Sequence, residues 1–162
     1  MATVLDRLPI APELASEFLG VFARCEYALK STGYARGDQS GVQPRWDQFA
    51  RDIDWHFRRI KALNFTRAVD YLLCEPPRKQ VLAGGYLQWK VEPPDPNLPK
   101  AEQTLLMVRR VRNNLFHGAK VWSPEYGPRH RDERLIGSSL VVLDRVMTIN
   151  EDVHNAFQHG VF

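Results

Sequence analysis

Three arginines, two asparagines and a histidine crowd one short segment, Val108-Arg109-Arg110-Val111-Arg112-Asn113-Asn114-Leu115-Phe116-His117-Gly118. Guanidinium groups supply permanent charge on a planar fork that matches phosphate and carboxylate oxygens. An imidazole can take up and release a proton near neutral pH. The surrounding charge points the same way. Residues 100–131 sum to +5 within a chain whose net charge is +3, so the remainder sums to −2. An anion-binding surface is therefore expected in this window. Arg109, Arg110 and Lys120 are candidate contacts to a phosphate backbone on charge alone, with Asn114 beside them.

The periodicity of this segment is helical. At about 100° per residue, Val108, Val111 and Leu115 form an apolar centre flanked by Leu105 and Phe116. Arg112 falls on the edge of that face, where a charge costs free energy unless it is paired or opens into a cleft. A plainer reading is a helix C-terminus, in which Arg and His complement the dipole and Asn and Gly cap the chain. Arg112 and His117 are five residues apart and diverge by about 140° on an ideal helix, whereas Arg110 and His117 share a face with Asn113 and Asn114. A site using Arg112 and His117 needs a distorted last turn, a long arginine reaching around, or a second subunit.

The rest of the chain must position this segment, and its pattern is also mostly helical. Leu14, Phe18, Val21, Phe22, Cys25 and Leu29 repeat at three and four behind Pro12, giving a first helix that ends before Gly33. Residues 32–44 read as a glycine-containing loop. A second helix carries Trp46, Phe49, Ala50, Ile53, Phe57 and Ile60 on one face, and a third spans about 65–73 before Pro76-Pro77. Residues 84–99 read as a long Pro/Gly-rich loop, with one extended turn at 86–91. The helix of about 100–116 follows, then a loop at 123–130. A last long helix carries Leu135, Val142, Val146 and Ile149. A short one to about Phe157 is started by Asn150 as N-cap. No strand pattern stands out. The expectation is an all-α fold, a single-domain bundle of four to six helices over 1–162 with its core at roughly 12–158.

The 162 residues are 44% hydrophobic and 25% charged, the composition of an ordinary globular domain. No apolar run approaches the roughly 20 residues that cross a bilayer, so no membrane partner is expected. The opening residues lack a basic stretch followed by a long apolar one, so no export signal is expected. Two cysteines, Cys25 and Cys74, are too few for a disulfide framework or a thiolate zinc site, which fits a reducing cytoplasm.

The string Arg112-Asn113-Asn114-Leu115-Phe116-His117-Gly118 resembles the Arg-x4-His signature of the HEPN superfamily, and 108–120 is similar to the bacterial stand-alone members. Glu26-Tyr27-Ala28-Leu29-Lys30 with Gly33-Tyr34, Trp46-x-x-Phe49-Ala50 and Tyr71-Leu72-Leu73 before Pro76-Pro77 extend the resemblance over roughly 18–143. The resemblance implies a helical bundle that pairs as a homodimer, with two motifs facing each other across a cleft. It further implies a metal-independent endoribonuclease, without cofactor, of toxin–antitoxin or phage-defence type, partnered by RNA and by an antitoxin or regulatory protein. In such an enzyme the RNA 2′-OH attacks the adjacent phosphate, leaving a 2′,3′-cyclic phosphate. By resemblance His117 is the general acid/base, Arg112 the phosphate clamp, and Asn113 the residue that orients phosphate or imidazole. Glu26 matches the acidic residue of the family's first helix and is expected to support the site by pairing with Arg112. Two alternatives stay open: a non-catalytic module for dimerisation or for binding RNA or nucleotides, and a helical interaction domain.

Other constellations are weaker. In Asp52-x-Asp54-x-His56 alternate residues diverge by about 200° on a helix, which favours a solvated face over a metal site. His154 and His159 flank Phe157 near a chain end. Gly84-Gly85 is a pair of turn glycines and no phosphate cradle. The absence of His-Glu-x-x-His, Walker A and Gly-x-Ser-x-Gly motifs argues against zincin, P-loop and esterase chemistry. Trp89 and Trp122 border the basic helix and are candidates to stack a base.

Overall fold

In the computed structural model, residues 10–116 and 129–160 are described. The order is α1 (Pro12–Lys30), β1 (Ala35–Asp38), β2 (Gly41–Pro44), α2 (Trp46–Phe57), α3 (Leu63–Cys74), β3 (Lys79–Ala83), β4 (Tyr86–Lys90), α4 (Lys100–Phe116), α5 (Arg129–Val146) and α6 (Glu151–His159). The helices meet over one contiguous apolar core that includes Phe18, Phe49, Phe57, Leu72, Leu105, Met107, Ile136, Leu143 and Met147. α3 packs along α5, α2 along α4, and α1 against both α5 and α6. No described helix is long and apolar enough to cross a membrane.

The all-α expectation is corrected. The fold is mixed, with two small antiparallel two-stranded sheets, β1–β2 and β3–β4, beside six helices among the described residues. The stretch read as a loop at 32–44 is the first hairpin, in register Ala35↔Pro44 to Asp38↔Gly41. Asp38 accepts from the Ser40 amide and hydroxyl to close its turn. Gly37 has φ +153° and no side chain fits there, because a Cβ would collide with the Gly41 carbonyl. The long loop assigned to 84–99 is shortened from its front. Tyr86–Lys90 pairs with Lys79–Ala83, and Gly84 and Gly85 take the positive φ values (+57° and +82°) that a two-residue type I′ turn demands.

α4 is fixed at its start by α2. The Asp54 carboxylate accepts from the Ala101 amide at 2.9 Å, capping α4 from a neighbouring helix, while Arg51 grips Glu102 through two bonds of 2.9 and 3.0 Å. Asp52 points elsewhere, to Tyr34 and Gln48. The Asp52-x-Asp54-x-His56 string therefore serves packing, and no metal-holding cluster occurs among the described residues. α6 begins as its sequence indicates, with the Asn150 side chain accepting from the Val153 amide at 3.0 Å.

Candidate functional site

The last three turns of α4 carry the charged segment, and an aromatic row seats them. Phe116 stacks on Phe18, Phe18 meets Phe22 edge-on, and Phe22 lies against Trp46, with ring centroids 6.4, 6.0 and 5.4 Å apart. Arg112 comes off the side of α4 that faces α1. Its guanidinium sits 5.4 Å from the centroid of the Phe22 ring, and its Nη1 donates to the Asn113 side chain at 3.1 Å. Arg112 is half-buried and Asn113 exposed. The edge position expected from periodicity is thus resolved by an aromatic platform and a neighbouring amide.

The other polar residues of the segment divide by side. Arg110 points away from Arg112, toward the second hairpin. Its side chain is 13% exposed, and its fork donates to the Pro77 and Glu92 carbonyls and reaches the Glu92 carboxylate at 3.5 Å. Asn114 is buried and donates to the Arg78 carbonyl at 2.7 Å. From α5, Arg131 donates to the Glu75 and Pro76 carbonyls. These three side chains satisfy the backbone around Pro76-Pro77, where proline supplies no amide and, among the described residues, no helix or strand amide donates to the carbonyls. The substrate contacts expected of Arg110 and Asn114 meet side chains already engaged in holding the entry to β3. Of the two arginines, Arg110 is held by Pro77 and Glu92, and Arg112 by Asn113 and the Phe22 ring.

Arg109 lies between two grooves. One, of about 420 Å³, separates it from the second hairpin and includes Lys79, Gln80, Glu92 and Asn113. The other, of about 410 Å³, lies toward α1 and the first hairpin. Arg109 is exposed as a residue, and partial desolvation of its guanidinium lowers its pKa; Arg112 adds to the effect, and Glu26 and Asp47 oppose it. Glu26 is half-buried and its charge acts on Arg109. Among the described residues no ion pair joins Glu26 to Arg112, so the expected Glu26–Arg112 pairing is replaced by a longer-range Glu26–Arg109 attraction.

His117, Gly118, Lys120 and Trp122 lie outside the described residues, as does most of the loop assigned to 123–130. Trp89 stands in β4, half-buried. No family model matches the chain, and no curated protein or solved structure is significantly similar to it.

Proposed function

We propose that this protein is a metal-independent endoribonuclease of HEPN type, acting in the cytoplasm as a homodimer under the control of a partner such as an antitoxin. The observation that carries the reading is Arg112, in the C-terminal part of α4 and five positions before His117 in the sequence. Its guanidinium is held over Phe22 and bonded to Asn113, and its charge acts on Arg109. In this reading Arg112 binds the scissile phosphate and stabilises the charge that builds on it, because a fixed guanidinium needs no reorganisation at the moment of reaction. His117 moves the proton of the attacking 2′-OH or of the leaving 5′-oxygen. Asn113 fixes the fork of Arg112. Arg109 and Lys120 contact flanking phosphates.

Cleavage of a mixed RNA pool in EDTA by wild type and His117→Ala tests it. Wild type is expected to cut, leaving 2′,3′-cyclic phosphate ends, and a 2′-deoxy substitution at a cut site is expected to block that cut. His117→Ala is expected to be inactive. Uncut RNA with a folded wild-type protein, or equal cutting by both proteins, overturns the reading.

A further inference from the structure

The four most exposed large apolar side chains among the described residues belong to one segment. Leu82, Tyr86 and Leu87 stand at the tip of the second hairpin and Val91 just past its base, all between 65% and 76% exposed. The hairpin meets the helical body where β3 touches α4, and its root is tied by Glu92, which pairs with Lys79 at 3.0 Å and Lys90 at 3.3 Å. The tip is left bare. Leu82 and Leu87 are cross-strand partners on one face, and Tyr86, opposite Ala83, stands on the other. The ten residues 80–89 carry no charge. Charge returns at the root, where Arg78, Lys79 and Lys90 stand against the one carboxylate of Glu92. Trp89 lies in the row just inside the Lys79–Lys90 pair. At about 3.3 Å per residue, the lysine row is about 10 Å behind Leu82 and Leu87. The hairpin is thus graded along its length, apolar on both faces at the tip, with an indole further back and a cationic belt at the root.

We propose that this hairpin seats the protein on the surface of an anionic lipid bilayer. Leu82, Tyr86 and Leu87 lie at the boundary between headgroups and acyl chains, and Arg78, Lys79 and Lys90 lie among the lipid phosphates. A groove on a partner protein takes up one face of a hairpin, whereas a bilayer surrounds a tip and covers both. The spacing suits the same occupant. Surface-bound amphipathic elements bury about 5–10 Å into that boundary, so a belt about 10 Å behind the leucines reaches the headgroups. Tyrosine and tryptophan favour this level, where the ring is apolar and its polar handle stays wet. The basic root is drawn to an anionic leaflet. Depth is limited by the backbone, because the outer edges of a two-stranded sheet carry unpaired amides and carbonyls that hydrocarbon does not satisfy. The tip therefore stops at the boundary. The expectation of no membrane partner rested on spanning length, which no described helix has. A tip seated at the surface needs no span.

The test is co-sedimentation of the full chain with vesicles of phosphatidylcholine alone and of equal parts phosphatidylcholine and phosphatidylglycerol. The protein is expected to sediment with the mixed vesicles and far less with phosphatidylcholine. Leu82→Gln/Leu87→Gln removes the apolar tip and keeps the charge, and it is expected to weaken binding at least about tenfold. Arg78→Gln keeps the tip and is expected to weaken binding to the mixed vesicles about fivefold, the scale of one basic residue at an anionic surface. These side chains are exposed, so thermal melts of both variants are expected to stay near wild type. Tyr86→Trp adds a reporter at the tip, and lipids brominated on their acyl chains are expected to quench it. No sedimentation with either vesicle, or a leucine double variant that binds as tightly as wild type, overturns the proposal. Sedimentation without quenching of the added tryptophan also overturns it, because charge alone then holds the protein at the surface. A wild-type dimer that the leucine substitutions break, in a protein that ignores vesicles, places a second copy on the tip instead. Cleavage of RNA plays no part in these readouts, so the membrane seat stands or falls apart from the nuclease reading.

Discussion

At the residue scale, Arg112 does two things that a different cation would not do equally. It lies against the Phe22 face and it donates to Asn113, which together fix the direction of its fork. Lysine keeps the charge but is a hydrated point charge without a plane to lay on the ring or a second donor to present in line. Under the proposed mechanism Arg112→Ala is expected to lower the cleavage rate at least about 100-fold, the scale of removing one fixed donor from a charged transition state. Arg112→Lys is expected to recover only a small part of that loss. Single-turnover rates for the two variants, beside thermal melts that stay within a few degrees of wild type, check this. Equal rates for Arg112→Lys and wild type would show that charge alone suffices and that the aromatic platform is incidental. The sequence made the edge position of Arg112 legible, because three apolar residues define a face and Arg112 misses its centre. It did not show the opposing engagement of Arg110 and Asn114, which depends on the backbone of residues 75–78, distant in the chain and without a pattern of its own.

At the scale of elements, α4 is carried by what holds its first turn. Asp54 caps it across a helix–helix contact, an arrangement that a local N-cap search along the sequence does not detect. Asp54→Ala is expected to cost about 1–2 kcal/mol in chemical denaturation, and Asp54→Asn less, because the amide oxygen still accepts. A cost below a few tenths of a kcal/mol would show that α4 starts without this bond. The second hairpin depends on Glu92, which faces Lys79 at 3.0 Å, Lys90 at 3.3 Å and Arg110 at 3.5 Å. Hydrogen bonds from Lys79 and then Lys90 hold its carboxyl below the usual glutamate range. A carboxylate depressed in the folded state binds fewer protons there than when unfolded. Its contribution is therefore complete above the ordinary glutamate pKa and is lost as the pH falls through the depressed value. Amide exchange in residues 79–90, corrected for its intrinsic pH dependence, is expected to lose protection in that acid window before the helical core does. In Glu92→Gln the window is expected to vanish.

The two hairpins also show why part of the fold escaped a reading of periodicity. β1 and β2 are exposed on both faces, so no alternation of apolar and polar residues marks them. β3 and β4 did carry a signal, Gly84-Gly85 between Val81-Leu82 and Tyr86-Leu87, which is the two-residue turn of a hairpin. The neighbouring prolines, Pro76-Pro77 and Pro93-Pro94, drew that segment toward a loop. The helices, by contrast, each bury a face against the common core; apolar spacing was sufficient to find five of the six described ones, and the Asn150 cap marked the last.

At the scale of the whole molecule the question is where Arg112 and His117 meet. Five residues of regular helix set them about 140° apart, so one helix does not aim both at one phosphate without distortion. In the proposed homodimer a two-fold axis supplies another solution, with Arg112 of one copy and His117 of the other serving the same phosphate. This composite arrangement makes a specific demand on mixtures. Arg112→Ala and His117→Ala homodimers are both expected to be inactive. Unfolded together and refolded as equal parts, about half of the dimers are mixed, and each mixed dimer holds one site with both native side chains. The mixture is therefore expected to regain about a quarter of wild-type activity, with sedimentation confirming two copies throughout. If each site instead draws both groups from one chain, every site in the mixture lacks one of them, and refolding restores nothing. Recovery near a quarter assigns the pair to opposite subunits. A mixture as inactive as its parents returns both residues to one chain and requires the turn after Phe116 to bring His117 around to Arg112.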